Sequence, residues 1–176
     1  MKKIVLPFVL LASLCIADNK DYVGLGIGGT TLGVESQGTK ADTSGGHVSL
    51  TLGHYYENGR FNASYTYFNS GAGVKNSDLL SLAYDFLLPL GETPFCLYVG
   101  PVAGYTRYVE YGTTGNDYDL SGVHYGAELG GIYNLSDSFE LEAGYRYLLE
   151  SKAEKVSMFY FNINYHFDAD KYFKYD

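Results

Sequence analysis

From residue 20 onward, apolar and aromatic residues occupy every second position in eight short runs, separated by polar or Gly/Pro-containing segments. A two-residue period sends alternate side chains to opposite faces of an extended strand. The runs predict strands over 22–33, 47–56, 60–69, 79–88, 95–109, 120–135, 139–149 and 156–167. One face carries Val23, Leu25 and Ile27, then Leu80, Leu82, Tyr84 and Phe86, and finally Phe159, Phe161 and Ile163. The other carries Gly24, Gly26 and Gly28, Asn62, Ser64 and Thr66, and Asn162 and Asn164.

A soluble sandwich or a soluble periplasmic barrel would show the same alternation with its apolar face inward. Two features favour the opposite orientation. Aromatic residues recur near strand ends on the apolar face, at Tyr56, Tyr67, Phe95, Phe139 and Tyr147, as in the girdles of a membrane barrel. The opposite face is small and glycine-rich, which suits a narrow interior better than a solvated surface. The gaps agree. Short turns are predicted at 57–59, 89–94 and 136–138, with longer polar connections at 34–46, 70–78, 110–119 and 150–155. The expected fold is all-β, an eight-stranded antiparallel up-and-down transmembrane β-barrel. Pro101 falls inside a predicted paired strand and removes a ladder donor, so a bulge is expected there.

The amino terminus reads differently. Met1-Lys2-Lys3 precedes an apolar run from Ile4 to Ile16 that closes on Cys15-Ile16-Ala17. This is the pattern of a secretory signal peptide cut between Ala17 and Asp18. Leu14, not a small residue, precedes Cys15, which argues against lipid anchoring at that thiol. The expected organisation is a signal peptide over 1–17, a barrel over 18–167 and a short periplasmic tail over 168–176.

Composition narrows the class. Without residues 1–17 the chain keeps 10 basic residues (12 less Lys2 and Lys3) against 20 acidic ones, and Cys96 alone among thiols. No intramolecular disulfide is then available, and an acidic chain with no basic stripe argues against a nucleic-acid partner. No later segment is continuously apolar over the length of a membrane helix.

The best chemical constellation is a set of inward charges: Asp85, Glu128, Glu140, Glu142 and Arg146. Charges in so confined a lumen must pair, and Arg146 is expected to bridge Glu128 and one carboxylate of the seventh strand. His47 and Ser49 sit two apart on one strand face, the spacing of a His-x-Ser pair, but with no third, acidic member assignable. His54 and His166 show no clustered partners in sequence, so no metal site and no cofactor are expected. Cys96 reads as a small filler beside Phe95.

Two segments resemble a known family. They are Leu97-Tyr98-Val99-Gly100-Pro101-Val102-Ala103-Gly104-Tyr105 and the stretch from Gly126 to Tyr147, a strand, a Ser136-Asp137 turn and a strand closing on Tyr145-Arg146-Tyr147. They are similar to the small eight-stranded bacterial outer-membrane barrels, the opacity-protein and OmpA/OmpX-like group. The resemblance implies insertion into outer-membrane lipid after export, with barrel-insertion machinery and periplasmic chaperones as assembly partners. It is weak for function, since such barrels serve as structural proteins, adhesins, narrow channels and a few enzymes. The family usually ends on an aromatic residue; here nine residues follow Phe167. The leading expectation is a structural or surface-interaction barrel without catalysis, whose polar loops offer contacts to a surface ligand. Tyr111 and Tyr118 are the aromatic residues of the third such loop. The alternatives are a narrow cation-preferring channel and, on the His47/Ser49 spacing found in barrel deacylases, a lipid A-modifying hydrolase.

Overall fold

The eight alternating runs become eight strands in the computed structural model, which describes residues 20–36, 39–57, 59–70, 74–110, 118–151 and 155–167. They are β1 (Asp21–Ser36), β2 (Thr39–Tyr56), β3 (Gly59–Ser70), β4 (Val74–Pro89), β5 (Phe95–Glu110), β6 (Tyr118–Asn134), β7 (Phe139–Glu150) and β8 (Lys155–Phe167). Each pairs antiparallel with its sequence neighbours, and β8 returns to β1 to close the barrel. Closure removes the free sheet edge that a hydrocarbon surround could not satisfy. Among the described residues no helix is long and apolar enough to cross a membrane; the long elements are strands.

The faces follow the period. Leu25 and Phe159 stand 69% and 62% exposed on the outside, whereas Gly24 and Tyr160 next to them turn inward and are buried. Ala63 shares the outer face but is covered, lying in register between Leu52 and Leu82. Connections 57–58, 90–94 and 135–138 lie at one end, together with Asp21 and Phe167, which pair across the β1–β8 seam. We refer to this as the turn end and to the opposite end as the loop end. Gly91 takes a φ of 64° in the 90–94 turn, a left-handed conformation that glycine adopts without steric cost.

Two expectations are corrected. The strands extend further toward the loop end than the alternation indicates. β2 starts at Thr39 instead of 47 and β4 at Val74 instead of 79, so the predicted 34–46 connection is mostly a hairpin paired as far as Ser36 and Thr39. The connections remaining at that end are 37–38, 71–73, 111–117 and 151–154, shorter than expected. Beyond an apolar band both faces of a strand can be polar, so the alternation fades while the backbone ladder continues.

The bulge at Pro101 is absent. Pro101 pairs with Ala127 in unbroken register. On its other side the register is the same at Ala83 with Val102 and at Phe86 with Val99. The ladder opens between those two pairs and thereby accommodates the missing N–H without an inserted residue. The one shift along this seam lies between Val74 and Asn76.

Candidate functional site: a charged lumen closed by its own side chains

Even-numbered residues of β3, odd-numbered residues of β4 and their counterparts around the wall project into the lumen. An eight-stranded barrel makes that lumen just wide enough for side chains to fill. Arg60, at the turn end of β3, is the centre of the lower lumen and is 1% exposed. Its Nε donates to Asp85 Oδ2 on β4 at 2.8 Å. Its Nη1 and Nη2 reach across to the two carboxylate oxygens of Glu142 on β7. Glu140 lies 3.7 Å from Nη1. The guanidinium also stacks over the Tyr98 ring, with Cζ 4.5 Å from the centroid, and is flanked by Tyr22 and Tyr55. A planar cation with five donors suits this combined carboxylate and aromatic cage better than an ammonium would.

Amide side chains complete the layer. Asn62 Nδ2 donates to Asp85 Oδ2 at 3.0 Å. Asn164 Nδ2 donates to Glu140 at 2.7 Å and to Glu142 at 3.0 Å. Glu140 further accepts from the Tyr55 hydroxyl and lies 2.9 Å from His166 Nε2.

One step toward the loop end, Arg146 Nε donates to Glu128 Oε2 at 2.7 Å, and its Nη1 donates across the lumen to Ser64 Oγ at 3.1 Å. Tyr160 also donates to Glu128, at 3.2 Å, and its hydroxyl meets that of Tyr98 at 2.7 Å. Higher still, His47 Nδ1 pairs with Thr30 Oγ1 at 2.7 Å. His124 sits between Thr106 at 2.7 Å and Ser81 at 3.0 Å. The loop end of the lumen is apolar: Leu32, Phe68, Leu79, Leu148, Val156 and Met158 form one buried cluster.

The five predicted lumen charges are therefore in one network, with a different wiring. Arg146 holds Glu128 but neither carboxylate of β7; those belong to Arg60. Arg60 is missing from the predicted site residues because it stands at a strand boundary. Its parity with Asn62, Ser64 and Thr66 is the available signal. The apolar cluster is likewise absent from the sequence-based expectation, although its members fall in phase with the small inner residues.

His47 and Ser49 both lie on the inner side, and the partner of His47 is a hydroxyl. His54 and His166 do have acidic partners, correcting the sequence reading: His54 Nδ1 is 2.8 Å from Asp21 Oδ1, and His166 is paired with Glu140. Among the described residues no group of three or more His, Cys, Asp or Glu is placed to hold a metal ion. Cys96 is a half-buried free thiol that lines an open cavity at the turn end instead of filling a packed site. Ala17, Asp18, Tyr111 and the 168–176 tail lie outside the described residues, and Tyr118 opens β6.

On the outer face, Tyr56, Tyr67, Phe95, Phe139 and Tyr147 are all exposed. Tyr56, Phe95 and Phe139 stand at the turn ends of β2, β5 and β7, and Phe139 packs against Tyr165 at 5.1 Å. Tyr67 and Tyr147 lie toward the loop end, and Tyr67 is in register with Asp78, whose outward pair with Arg107 at 3.3 Å interrupts the apolar surface. Exposed leucine, valine, phenylalanine and tyrosine side chains cover this outer face, the kind of surface a bilayer-spanning barrel turns to lipid.

Residues 5–167 match the family of outer membrane protein beta-barrel domains, and the chain belongs to that family. Solved structures share the fold at low sequence identity. Neisserial surface protein A (NspA) is 16% identical with a TM-score of 0.69, over 84% of this chain and 97% of that one. Ail, the attachment invasion locus protein of Yersinia pestis, crystallised with the heparin analogue sucrose octasulfate, is 15% identical with a TM-score of 0.61, over 86% and 100%. The outer membrane enzyme PagL is 16% identical with a TM-score of 0.55, over 81% and 97%. A comparison with curated proteins gives no match. The protein is thus a small eight-stranded barrel of the bacterial outer membrane.

Proposed function

We propose that this barrel has a structural or surface-interaction role, presenting its loop end to the cell exterior through a rigid cylinder whose lumen is closed. The observation that carries the reading is the span of Arg60 from Asp85 on β4 to Glu142 on β7, which lays an ion-paired layer across the lumen. The apolar cluster of Leu32, Phe68 and Leu148 adds a second closure nearer the loops. Export by a signal peptide cut between Ala17 and Asp18, and insertion by periplasmic chaperones and the barrel-insertion machinery, belong to the same proposal. The turn end then faces the periplasm.

A narrow cation-preferring channel is the second reading. It is favoured by the excess of Asp85, Glu128, Glu140 and Glu142 over Arg60 and Arg146 in the lumen. Hydrolysis of lipid A by His47 and Ser49 draws less support, since both lie on the inner side, away from lipid. Planar-bilayer recording of the purified protein separates the first two readings. A closed barrel gives a silent membrane. Steady single-channel steps that lose cation preference in Glu128→Gln would replace the structural reading with the channel.

A further inference from the structure

The two ion-paired layers of the lumen meet at Asn62. Its amide nitrogen donates to Asp85 Oδ2 of the Arg60 layer at 3.0 Å and to Glu128 Oε1 of the Arg146 pair at 3.4 Å. Two carboxyl groups, 0% and 1% exposed, therefore share one donor. The cations approach each of them from elsewhere. Arg60 Nε reaches Asp85 Oδ2, and Arg146 Nε reaches Glu128 Oε2. Asp85 Oδ1 is buried and has no hydrogen-bond donor among the described residues.

That oxygen lies on the Glu128 side. It sits over Gly100 on β5, where a Cβ would stand 2.6 Å from it, and Gly100 is in register with Glu128 on β6. Gly100 supplies no side chain to separate the two carboxyls. The neighbouring elements do not make up the charge. Arg60, flanked by Tyr22 and Tyr55 of β1 and β2, is divided between Asp85 and both carboxylate oxygens of Glu142 on β7. From β5 and β8 come the joined hydroxyls of Tyr98 and Tyr160, and Tyr160 donates to Glu128 Oε2. Glu140, beside His166, adds a fourth buried carboxyl against the two guanidiniums. Two carboxylates this close, where water is scarce, cannot both ionise. Neither Asp85 nor Glu128 lines the small lumen cavity at His47, Ser49 and Asn162, so an alkali ion gains no room there. A proton needs none.

We propose that Asp85 Oδ1 and the Glu128 carboxyl hold one proton between them, an O–H···O bond that joins the two ion-paired layers. The proton makes one carboxyl a donor to the other. The pair then keeps a single negative charge, divided between Arg60 and Arg146. Loss of the proton in alkali sets two like charges side by side and loosens the layer. The site does not depend on whether the barrel conducts.

The folded protein is compared with Asp85→Asn and Glu128→Gln in a detergent without carbonyl groups, and folding is checked by heat-modifiable gel mobility. At neutral pH the parent is expected to show the infrared C=O stretch of a protonated carboxyl. Each substitution is expected to remove the same component, because the acid left behind ionises against its own guanidinium. Urea unfolding across pH gives a second readout. Above about pH 4, the ordinary carboxyl range, the native state holds one proton more than the unfolded chain. Its contribution is full below that range and falls as pH rises until the pair releases its proton. The unfolding constant of the parent should therefore rise about tenfold per pH unit relative to Asp85→Asn in that window. If Glu128→Gln does not fold, Asp85→Asn decides by both readouts. A parent without the carboxyl band, a band that a folded variant retains in full, or parallel pH profiles in the parent and Asp85→Asn would overturn the proposal.

Discussion

Arg60 on β3 and Glu142 on β7 face each other across the barrel, and the guanidinium spans the lumen to meet both carboxylate oxygens. The two residues stand on opposite walls, so their pair ties together strands that share no backbone ladder. Asp85, on the strand next to β3, takes the remaining Nε–H. The arrangement concentrates charge where water is scarce. Removing the cation therefore costs far more than the pair contributes over an apolar replacement.

Arg60→Met should leave Asp85 and Glu142 as buried carboxylates with no cation between them. Breaking such a pair from one side costs about 3–5 kcal/mol. The measurement is the urea midpoint at which the folded, heat-modifiable band is lost in lipid vesicles. Arg60→Met/Asp85→Leu/Glu142→Leu removes all three charges and is expected to regain most of the loss. A triple variant as weak as the single one would show that the Arg60 side chain matters for its packing among Tyr22, Tyr55 and Tyr98, not for its charge.

The Arg146–Glu128 pair has its own partners in Ser64 and Tyr160 and meets the Arg60 layer indirectly, through Asn62 and the Tyr98–Tyr160 contact. A double-mutant cycle of Arg146→Met and Glu128→Gln should give a coupling energy of about 0.5–3 kcal/mol, the range for residues in direct contact. Arg146→Met combined with Glu142→Gln should be closer to additive. Strong coupling in that second cycle would restore the contact between Arg146 and a second carboxylate of its own strand that the sequence alone indicates.

How much of this is legible in the sequence follows from the period of a strand. Because one residue of slip exchanges the two faces, the alternation of Leu25 and Gly26, or Leu129 and Glu128, specifies which side chains meet lipid and which line the lumen. It cannot specify which wall residue reaches which across the barrel. That depends on strand stagger and tilt, and it is why the alternation gives Arg146, beside the Glu128 it does hold, a second carboxylate on its own strand that instead meets Arg60, and leaves Arg60 out. The same limit applies at the loop end. Thr39 to Gly46 have no apolar face to mark, yet they extend the ladder with β1. Phe68, Leu148 and Met158 break the small-and-polar rule for the inner face because the upper lumen is sealed by hydrocarbon instead of ion pairs.

The outer surface offers a depth-dependent test. Leu129 lies near the middle of β6 and is 58% exposed, whereas Phe95 and Phe139 stand at the turn ends of their strands. An arginine on the lipid face costs about 2–4 kcal/mol at the midplane and about 0–1 kcal/mol near the interface. Leu129→Arg is therefore expected to lower the unfolding free energy in vesicles clearly more than Phe139→Arg. Equal costs at the two positions would mean that the aromatic residues do not mark the boundary of the hydrocarbon.

Two glycines make opposite predictions from the same substitution. A Cβ on Gly144 would run into the Tyr98 hydroxyl and the Tyr160 ring, the pair that joins the two ion-paired layers. A Cβ on Gly29, on the outer face of β1, would meet no atom within 4 Å. Overpacking a filled interior costs about 1–3 kcal/mol, so Gly144→Ala should destabilise the barrel by that amount. Glycine within a strand is itself unfavourable by about 0.5–1 kcal/mol relative to alanine, so Gly29→Ala should stabilise it by up to that much. Side-by-side urea titrations of the two variants read the sign directly. If Gly144→Ala were neutral, the Tyr98–Tyr160 contact would have room to give, and the lumen would be less tightly filled than a closed barrel requires.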